Sequence, residues 1–359
     1  MTINFNDKII NGLYYGAIGD ALGYQVEFTS HKDMPSKIPL DNTLIISDDT
    51  QMSLALGRAI NNWIPGKDEN SVACFWYNIV DEFLDWYVDP DNNRAPGDTC
   101  LGSMRSINEN LDEVQLEKIV FDSSRTSTGS GAVMRVFPVM ALPAEYRYAV
   151  AWAQAITTHA DPRSVVAAMT VVNAVETIIT TGSYSLNDTK EFLHQLSTPE
   201  TFVTLNIPSG AWMKSLALAS TGGTDDEIRT LGSYLERMNE VDRNGLTLHS
   251  VIDNGIAYLD GVDADTALDP SLDVQDIIGA GGWDSVSAVG IFLLGLDLAI
   301  NKGLPPCSVM NWLIRTSGDS DTVASVFGQL YGFYGRDDLL DSLIDRIEPR
   351  YLEEINALI

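Results

Sequence analysis

Apolar residues recur at steps of three and four along most of this chain, which is the period of a buried helical face. The first such face runs from Ile9 to Leu22. Similar faces lie in Phe75 to Trp86, Val165 to Ile179, Val286 to Ile300 and Val323 to Tyr334. Strict alternation of apolar and polar residues, the pattern of a half-buried strand, is scarce. We therefore predict an all-α fold, a compact orthogonal multi-helix bundle of a dozen or more helices.

No shift in composition and no linker divides the 359 residues. This length is long for one core and is compatible with two domains, but without a linker we expect a single domain over residues 1–359. The segment from about 183 to 276 mixes short apolar patterns with polar turns. We expect it to be a peripheral helical elaboration of that domain.

Acidic residues outnumber basic residues by 50 to 22, so the formal net charge is −28. Nucleic acid is disfavoured as a partner, because contacts to phosphates require clustered Lys and Arg. A bound cation or a basic protein partner suits this charge. So does the simpler explanation, a solvated acidic surface that keeps the protein soluble.

Cys74, Cys100 and Cys307 are odd in number and lack metal-ligand spacing, which argues against a disulfide framework or a zinc site. A reducing cytoplasm is the simplest setting for them. The opening residues MTINFNDK lack the basic and apolar regions of a signal peptide. The longest apolar run, Val286 to Ile300, is interrupted by Asp297 and is shorter than the roughly 20 residues that span a bilayer. We expect a soluble, cytoplasmic protein with no membrane partner.

A first cluster of side-chain oxygens, Ser47-Asp48-Asp49-Thr50, stands where an extended loop gives way to a helical pattern. One interpretation is a helix N-cap, because Ser, Asp and Thr accept backbone N–H bonds there. A cap needs one side-chain oxygen, however, whereas all four of these side chains carry one. The adjacent carboxylates also repel each other when both are ionised, and a bound cation would relieve that repulsion.

A second cluster, Gly318-Asp319-Ser320-Asp321-Thr322, has the same form and runs straight into the apolar pattern from Val323 to Tyr334. The chain has four histidines and no paired cysteines, so the two clusters together indicate a site made of oxygen ligands. Magnesium, manganese and calcium prefer such ligands, and four Asp with two hydroxyls can hold two ions. We therefore predict a binuclear metal site at the N-termini of two helices.

Small residues recur at helical spacing from Gly16 to Gly23, in the sequence GAIGDALG. Close packing of two helices is the simpler interpretation of this pattern. A dinucleotide fingerprint is disfavoured, because the pattern is GxxGxxxG and no strand precedes it. Asp20 and Glu27 need partners if they are buried, and we expect a nearby cation to supply one.

Seven motifs in a fixed order resemble the ADP-ribosylglycohydrolase family, which includes the dinitrogenase-reductase-activating glycohydrolase and the ADP-ribosylarginine hydrolases. They are GAIGDALGYQVEF, SDDTQMSLAL, RAPGDTCLGSMR, STGSGAVMRVFPV, THADP, GGWDSVSAV and GDSDTVASVFGQLYGFYG. The resemblance runs from about Gly12 to Gly335, apart from the middle segment. It implies an all-α fold, a centre of two Mg²⁺ or Mn²⁺ ions, and hydrolysis of ADP-ribose from an ADP-ribosylated protein.

The resemblance places the family's metal ligands on the two acidic turns, at Ser47, Asp48, Asp49, Asp319, Asp321 and Thr322. Ser47 departs from the usual Thr but keeps the hydroxyl, so we expect it still to bind metal. Glu27 matches a glutamate that closes over the metals in some members. We expect Glu27 to act as a general base or to orient the ribose.

A glycine-rich turn is implied to wrap the pyrophosphate of ADP-ribose. The residues that match this substrate-binding segment of the family are Ser127, Thr128, Gly129, Ser130, Gly131, Met134 and Arg135. Glycine adds no side chain, so backbone N–H groups can approach a phosphate closely. His159 matches a THxHP-like motif and is implied to contact substrate, although a lone histidine before Asp-Pro is more often structural.

Two segments depart from the family pattern. Trp283 is followed by Asp-Ser-Val where many members carry Val-Ala-Glu, so we expect a nearby recognition contact to differ. Asp98 stands where asparagine is common; it is a candidate catalytic residue that touches the ribose or the leaving group, and equally a turn cap. Trp283 and the segment Tyr331 to Tyr334 are candidates for stacking on adenine, but aromatic residues at helical spacing are more often core.

We expect hydrolysis of an N-glycosidic bond, and favour an arginine linkage because the acidic charge and Asp98 attract a guanidinium group. Two alternatives remain open. One is a relative that keeps the ADP-ribose pocket without catalysis, which the intact metal turns argue against. The other is an immunity protein that neutralises a basic ADP-ribosylating toxin. The sequence does not distinguish Mg²⁺ from Mn²⁺.

Overall fold

The computed structural model describes residues 3–35, 38–63, 71–111, 116–196 and 236–359. These ranges contain sixteen α-helices and no β-strand, so the prediction of an all-α fold is confirmed. In chain order the helices are α1 Asp7–Tyr24, α2 Asp48–Asn61, α3 Ser71–Val88, α4 Asp98–Glu109, α5 Leu116–Ser123, α6 Gly131–Met134, α7 Ala144–Ile156, α8 Pro162–Thr181, α9 Leu186–Leu196, α10 Leu248–Gly261, α11 Val274–Ile278, α12 Ser285–Ile300, α13 Pro306–Ile314, α14 Ser320–Tyr334, α15 Asp338–Asp341 and α16 Pro349–Asn356.

Helix α12 lies at the centre of the bundle. Every residue from Ser285 to Ala299 is buried, and the helix packs against α8, α10, α13 and α14. A helix that is apolar on all sides has no face suited to water, which explains this central position. The N-terminus of α12 opens toward the site described below.

The helices α1 and α14 pack with their backbones in contact. A Cβ atom on Gly19 of α1 would collide with the carbonyl of Ala324, and one on Gly328 of α14 would collide with the carbonyl of Tyr15. The interpretation of the glycine pattern as close helix packing is therefore confirmed. Because Ser320 Oγ also donates to the Gly23 carbonyl at 2.9 Å, the start of α14 is fixed beside the end of α1.

Helix α8 is long and apolar enough to cross a bilayer. The sequence analysis did not predict a helix with this property. Most of its apolar window is buried in the fold, where the helix packs against α7, α12 and α9. Burial of this kind is typical of a core helix in a folded domain.

The segment expected to be a peripheral elaboration is described only in part, because residues 197–235 lie outside the described ranges. In the described part, α9 packs on α8, and α10 packs on α12 and α9. Val251 and Ile252 of α10 are fully buried. The single-domain organisation and the peripheral character of this segment remain predictions.

Candidate active site

A cleft of about 290 Å³ opens where α2, α4, α12 and α14 begin. Every predicted site residue except Ser47 and Arg135 lines it, namely Glu27, Asp48, Asp49, Asp98, Ser127, Thr128, Gly129, Ser130, Gly131, Met134, His159, Asp319, Asp321 and Thr322. Residues from both ends of the chain and from three loops between them thus share one cavity.

The first acidic turn begins α2. Ser47 is the N-cap, and its Oγ accepts from the Asp49 N–H at 3.2 Å. Behind it, the buried carboxylate of Asp20 accepts from the backbone N–H groups of Ser47 and Thr50, both at 2.9 Å. Asp20 therefore has backbone partners, and the expectation that a cation would supply its partner is wrong. Since Asp20 occupies these donors, Asp48 and Asp49 are left to face the cleft.

The second acidic turn begins α14 in the same way. Asp319 is the N-cap and accepts from the Thr322 N–H at 3.3 Å, while its other oxygen accepts from Ser130 Oγ at 2.8 Å. Thr322 Oγ1 donates to Asp49 Oδ2 at 3.3 Å. The two turns are thus in direct contact, and each uses only part of its oxygen atoms for capping.

The carboxyl groups in this cluster are crowded and buried. Burial and the neighbouring Asp321 raise the pKa of Asp48 and of Asp49 well above the ordinary value. Burial and Asp319 do the same to the pKa of Asp321, and burial raises the pKa of Asp319 to about 6. Without a positive charge nearby, these groups hold protons to unusually high pH.

The donor set suits a hard cation, although the side chains are not converged on one. In the described part of the chain, no group of three or more His, Cys, Asp or Glu side chains is arranged to hold a metal ion. The carboxyl groups of Asp319 and Asp321 are hydrogen-bonded to each other instead. All the donors are oxygen atoms, however, and Asp49 Oδ1 is buried without a hydrogen-bond partner. Turning the carboxylates toward a common point would give ligands that Mg²⁺ or Mn²⁺ prefers.

Glu27 lies beside the cluster, just beyond the end of α1. Burial, Asp321 and Asp20 raise its pKa to about 8, and its Oε2 atom is buried without a hydrogen-bond partner. A carboxyl group with this pKa is protonated in much of the population at pH 7. A change in the charge of the acidic cluster therefore changes the pKa of Glu27.

Two residues at the rim of the cleft have backbone conformations that are rare for residues other than glycine. Phe28, next to Glu27, has φ of 67°, and Ala95, which lines the cleft, has φ of 53°. They are the only non-glycine residues with positive φ in the described ranges. Such strain costs roughly 1–3 kcal/mol and is concentrated at functional sites.

The glycine-rich turn packs against His159. A Cβ atom on Gly131 would lie 2.7 Å from Cε1 of the His159 ring, so a side chain at this position would displace the histidine. His159 Nδ1 lies 2.7 Å from Thr158 Oγ1. Burial and the Arg135 guanidinium lower the pKa of His159 to about 3, so the ring lines the cleft as a neutral group.

Arg135 does not line the cleft, contrary to the expectation that it contacts substrate. It is fully buried, with its guanidinium over the ring of Phe83 at 4.6 Å from the centroid. It donates to Gln154 Oε1 at 2.8 Å and to Thr158 Oγ1 at 2.7 Å. Arg135 thus uses its donors within the protein interior, where it supports the wall behind the glycine-rich turn.

The aromatic candidates separate into one rim residue and one core group. Trp283 lines the cleft and stacks on Phe28, with the ring centroids 5.5 Å apart. Tyr331 and Tyr334 lie in the last turn of α14 and pack among other rings, away from the cleft lining. Trp283 therefore remains a candidate for stacking on a bound group, whereas the two tyrosines do not.

The sequence analysis assigned no role to two charged residues of the cleft. Asp284 caps α12 by accepting from the Ser287 N–H at 2.9 Å, and it also lines the cleft. Arg243 lines the cleft from the segment expected to be peripheral. No local signal distinguished Arg243 from any other exposed arginine in a polar turn.

Comparison with known proteins agrees with this geometry. The profile of the ADP-ribosylglycohydrolase family matches residues 1–359. ADP-ribosyl-[dinitrogen reductase] glycohydrolase from Rhodospirillum rubrum is 29% identical over 190 residues, which are 48% of this chain and 58% of that protein. A solved ADP-ribosylglycohydrolase-related protein complex shares the fold, with a TM-score of 0.56 and 18% identity over 98% of this chain and 95% of that one. The chain belongs to the ADP-ribosylglycohydrolase family.

Proposed function

We propose that this protein is a metal-dependent hydrolase that releases ADP-ribose from ADP-ribosylated protein, with arginine as the modified residue. Membership of the family supports the reaction class and the modified-protein substrate. The observation that carries the proposal is the contact of the two acidic turns in one cleft with the glycine-rich turn and Glu27. A site that only bound ADP-ribose would not need such a costly cluster of buried carboxyl groups.

The residues that would hold the cations are Asp48, Asp49, Asp319, Asp321 and Thr322, which line the cleft, with Ser47, the buried N-cap of α2, behind them. When bound, two Mg²⁺ or Mn²⁺ ions supply Lewis-acid polarisation of the ribose oxygens and of a water molecule.

Glu27 has the position and the ionisation behaviour of a residue that moves a proton. Its pKa of about 8 is raised by burial first and by the negative charges of Asp321 and Asp20 next. Neutralising those charges lowers the pKa toward its ordinary value, which favours the anionic form of Glu27 when the cluster is occupied. Its unpartnered Oε2 can then accept a proton from water or orient a ribose hydroxyl. We assign Asp98, which is exposed in the cleft, to the leaving-group side.

The rim of the cleft favours arginine over serine as the modified residue. Phe28, which follows Glu27 in the chain, stacks on Trp283, and Trp283 lines the cleft together with Glu27 and Asp319. A guanidinium group is planar and cationic, so it gains from both an aromatic face and nearby carboxylates. A serine linkage offers neither a plane nor a charge.

The test compares two substrates of the same protein class, one modified on arginine and one on serine. Free ADP-ribose is measured with Mg²⁺, with Mn²⁺ and with chelator, using the intact chain and an Asp49→Asn variant. We expect release from the arginine-linked substrate only, and only with metal and an intact Asp49. Release from serine alone would refute the linkage but leave the hydrolase assignment standing. Absence of ADP-ribose release from both substrates would refute the hydrolase assignment.

Two non-catalytic alternatives can be decided in the same assay. A silent ADP-ribose-binding relative would bind ADP-ribose without turnover, and a toxin-neutralising protein would inhibit an ADP-ribosylating enzyme in the Asp49→Asn form as well as the native form. We also propose a cytoplasmic setting, since Cys100 and Cys307 are free. Fractionation of the source cells tests that proposal.

A further inference from the structure

Arg243 lies in a tight turn that the chain holds in place by several hydrogen bonds. Asp242 Oδ1 accepts from the N–H groups of Asn244 and Leu246, both at 2.8 Å. The Asp242 N–H donates to the Leu246 carbonyl at 2.7 Å, which closes the turn. The direction in which Arg243 leaves the backbone is therefore set by local contacts.

This turn is tied to the part of the cleft that carries the glycine-rich segment. Asn244 Nδ2 donates to Asp284 Oδ2 at 3.1 Å, and Asp284 pairs with Gly129 in an isolated antiparallel bridge. The Ser285 N–H donates to the Thr128 carbonyl at 2.6 Å. Arg243 thus enters the cleft next to the glycine-rich turn.

Arg243 is the only Lys or Arg among the described residues that line the cleft. It is exposed, and no ion pair to it is formed within the described ranges. The other charged residues of the lining are all acidic: Glu27, Asp48, Asp49, Asp98, Asp284, Asp319 and Asp321. His159 is neutral, so it cannot share the cationic role of Arg243.

We propose that Arg243 binds the pyrophosphate of the ADP-ribosyl group at the glycine-rich turn and thereby directs the distal ribose toward the acidic cluster. The inference rests on the proposed function for its ligand. The ionised members of the seven carboxyl groups in this lining repel a pyrophosphate unless a cation lies close to it. An arginine without a competing carboxylate partner is free to form charge-assisted hydrogen bonds to phosphate oxygens. Cations bound at the acidic turns and Arg243 would then contact neighbouring parts of the same ligand, the distal ribose and the pyrophosphate.

The test measures binding by calorimetry, in Mg²⁺, of ADP-ribose, ADP and adenosine. ADP keeps the pyrophosphate, whereas adenosine lacks it. The variants are Arg243→Gln, Arg243→Lys and the control Arg105→Gln, which removes the same charge from an exposed position of α4 outside the cleft lining. We expect Arg243→Gln to weaken ADP-ribose and ADP by about tenfold and to leave adenosine unchanged. Arg243→Lys should restore part of the loss, and Arg105→Gln should have no effect.

Equal ADP affinity in the native protein and Arg243→Gln would overturn the proposal, even if the native protein releases ADP-ribose. An equal loss for adenosine would also overturn it, because Arg243 would then act only through the structure of its turn. A higher KM for modified protein with unchanged ADP affinity would place Arg243 against the protein part of the substrate instead. Absence of ADP-ribose and ADP binding in the native protein would refute this proposal, and the proposed function would still be decided by the release assay.

Discussion

The ring of Phe28 stacks on the indole of Trp283, with centroids 5.5 Å apart and planes inclined by 16°. Phe28 is 74% exposed and Trp283 is 38% exposed, so this contact is not part of the apolar core. The backbone of Phe28 also has a left-handed conformation, which lowers the stability of the folded state by roughly 1–3 kcal/mol. An exposed ring on a strained backbone beside Glu27 is better explained by contact with a ligand than by a contribution to stability.

We predict that Phe28→Ala raises the KM for arginine-linked protein by roughly three- to tenfold, as expected for the loss of one aromatic contact. The affinity for free ADP-ribose and the melting temperature should change little. Steady-state kinetics and calorimetry measure the two effects. Val88→Ala, at an exposed apolar residue outside the cleft, is the control. Equal losses for free ADP-ribose and for the modified protein would place the pair on the adenosine side.

Removal of metal should abolish turnover and leave the helices folded. The acidic turns lie at the starts of α2 and α14, whereas the stability of these helices comes from their buried apolar faces. Circular dichroism and ADP-ribose release should be recorded with and without chelator, and with Mg²⁺ restored. Loss of the helical signal at ambient temperature would show that the ions are structural.

The double substitution Asp319→Asn with Asp321→Asn should abolish turnover and yet stabilise the chelated protein at pH 8. These acids have raised pKa values in the folded state, so they bind protons more tightly folded than unfolded. The stability that they contribute is present below the unfolded pKa, about 4, and is lost as the pH rises through the folded values. For Asp319 that value is about 6.

Thermal unfolding in chelator at pH 5 and pH 8 measures this effect. The melting temperature of the native protein should fall between these two pH values, and that of the double variant should fall less. The pair Asp48→Asn with Asp49→Asn should behave in the same way, because burial and Asp321 raise both pKa values. An equal fall in melting temperature from pH 5 to pH 8 in the native and variant proteins would contradict the view that the buried acidic cluster destabilises the protein at high pH.

Gly19→Ala should destabilise the protein by about 1–3 kcal/mol, because its methyl group would meet the carbonyl of Ala324 where the two backbones touch. Urea unfolding measures the change. Gly261→Ala is the matched control, since Gly261 ends α10 and nothing lies within 4 Å of its added Cβ. A loss as large in the control would mean that the close approach of α1 and α14 is not the cause.

His159 should remain neutral between pH 5 and pH 8, because burial and the Arg135 guanidinium lower its pKa to about 3. Its ring proton signals in an NMR titration, assigned by comparison with His159→Gln, should not move in that range. A signal that titrates near pH 6.5 would contradict this prediction. Invariance would also mean that His159 does not set the pH dependence of turnover.

The acidic turns could be found from the sequence because the feature that identifies them is local. Asp48 and Asp321 each stand beside other oxygen-bearing side chains at the start of a helical pattern. The number of such side chains exceeds what a helix cap uses, and the structure leaves Asp49 Oδ1 without a partner. Local excess of a residue type is visible in a sequence, and so is the glycine pattern of α1.

The roles of Asp20, Arg135 and Arg243 could not be found in this way. The role of Asp20 depends on backbone N–H groups of a loop 27 positions away. The role of Arg135 depends on a neighbouring helix that buries it. Arg135 directly follows residues of the cleft, but in the short turn of α6 a step of one residue changes the side of the chain that faces the cavity. Arg243 depends on how a polar turn lies against Asp284.

The packing of α1 against α14 has a consequence for the folding of the protein during its synthesis. The first acidic turn is made early in synthesis, but its counterpart is on a helix that ends at Tyr334. Thr322 and Asp49, which join the turns, are 273 positions apart. A nascent chain on the ribosome therefore carries only the first acidic turn while the residues between Asp49 and Thr322 are translated, and contacts of such long range form slowly. The crowded carboxylates meet only after α14 has been synthesised, so a product that terminates before Ser320 cannot assemble the acidic cluster.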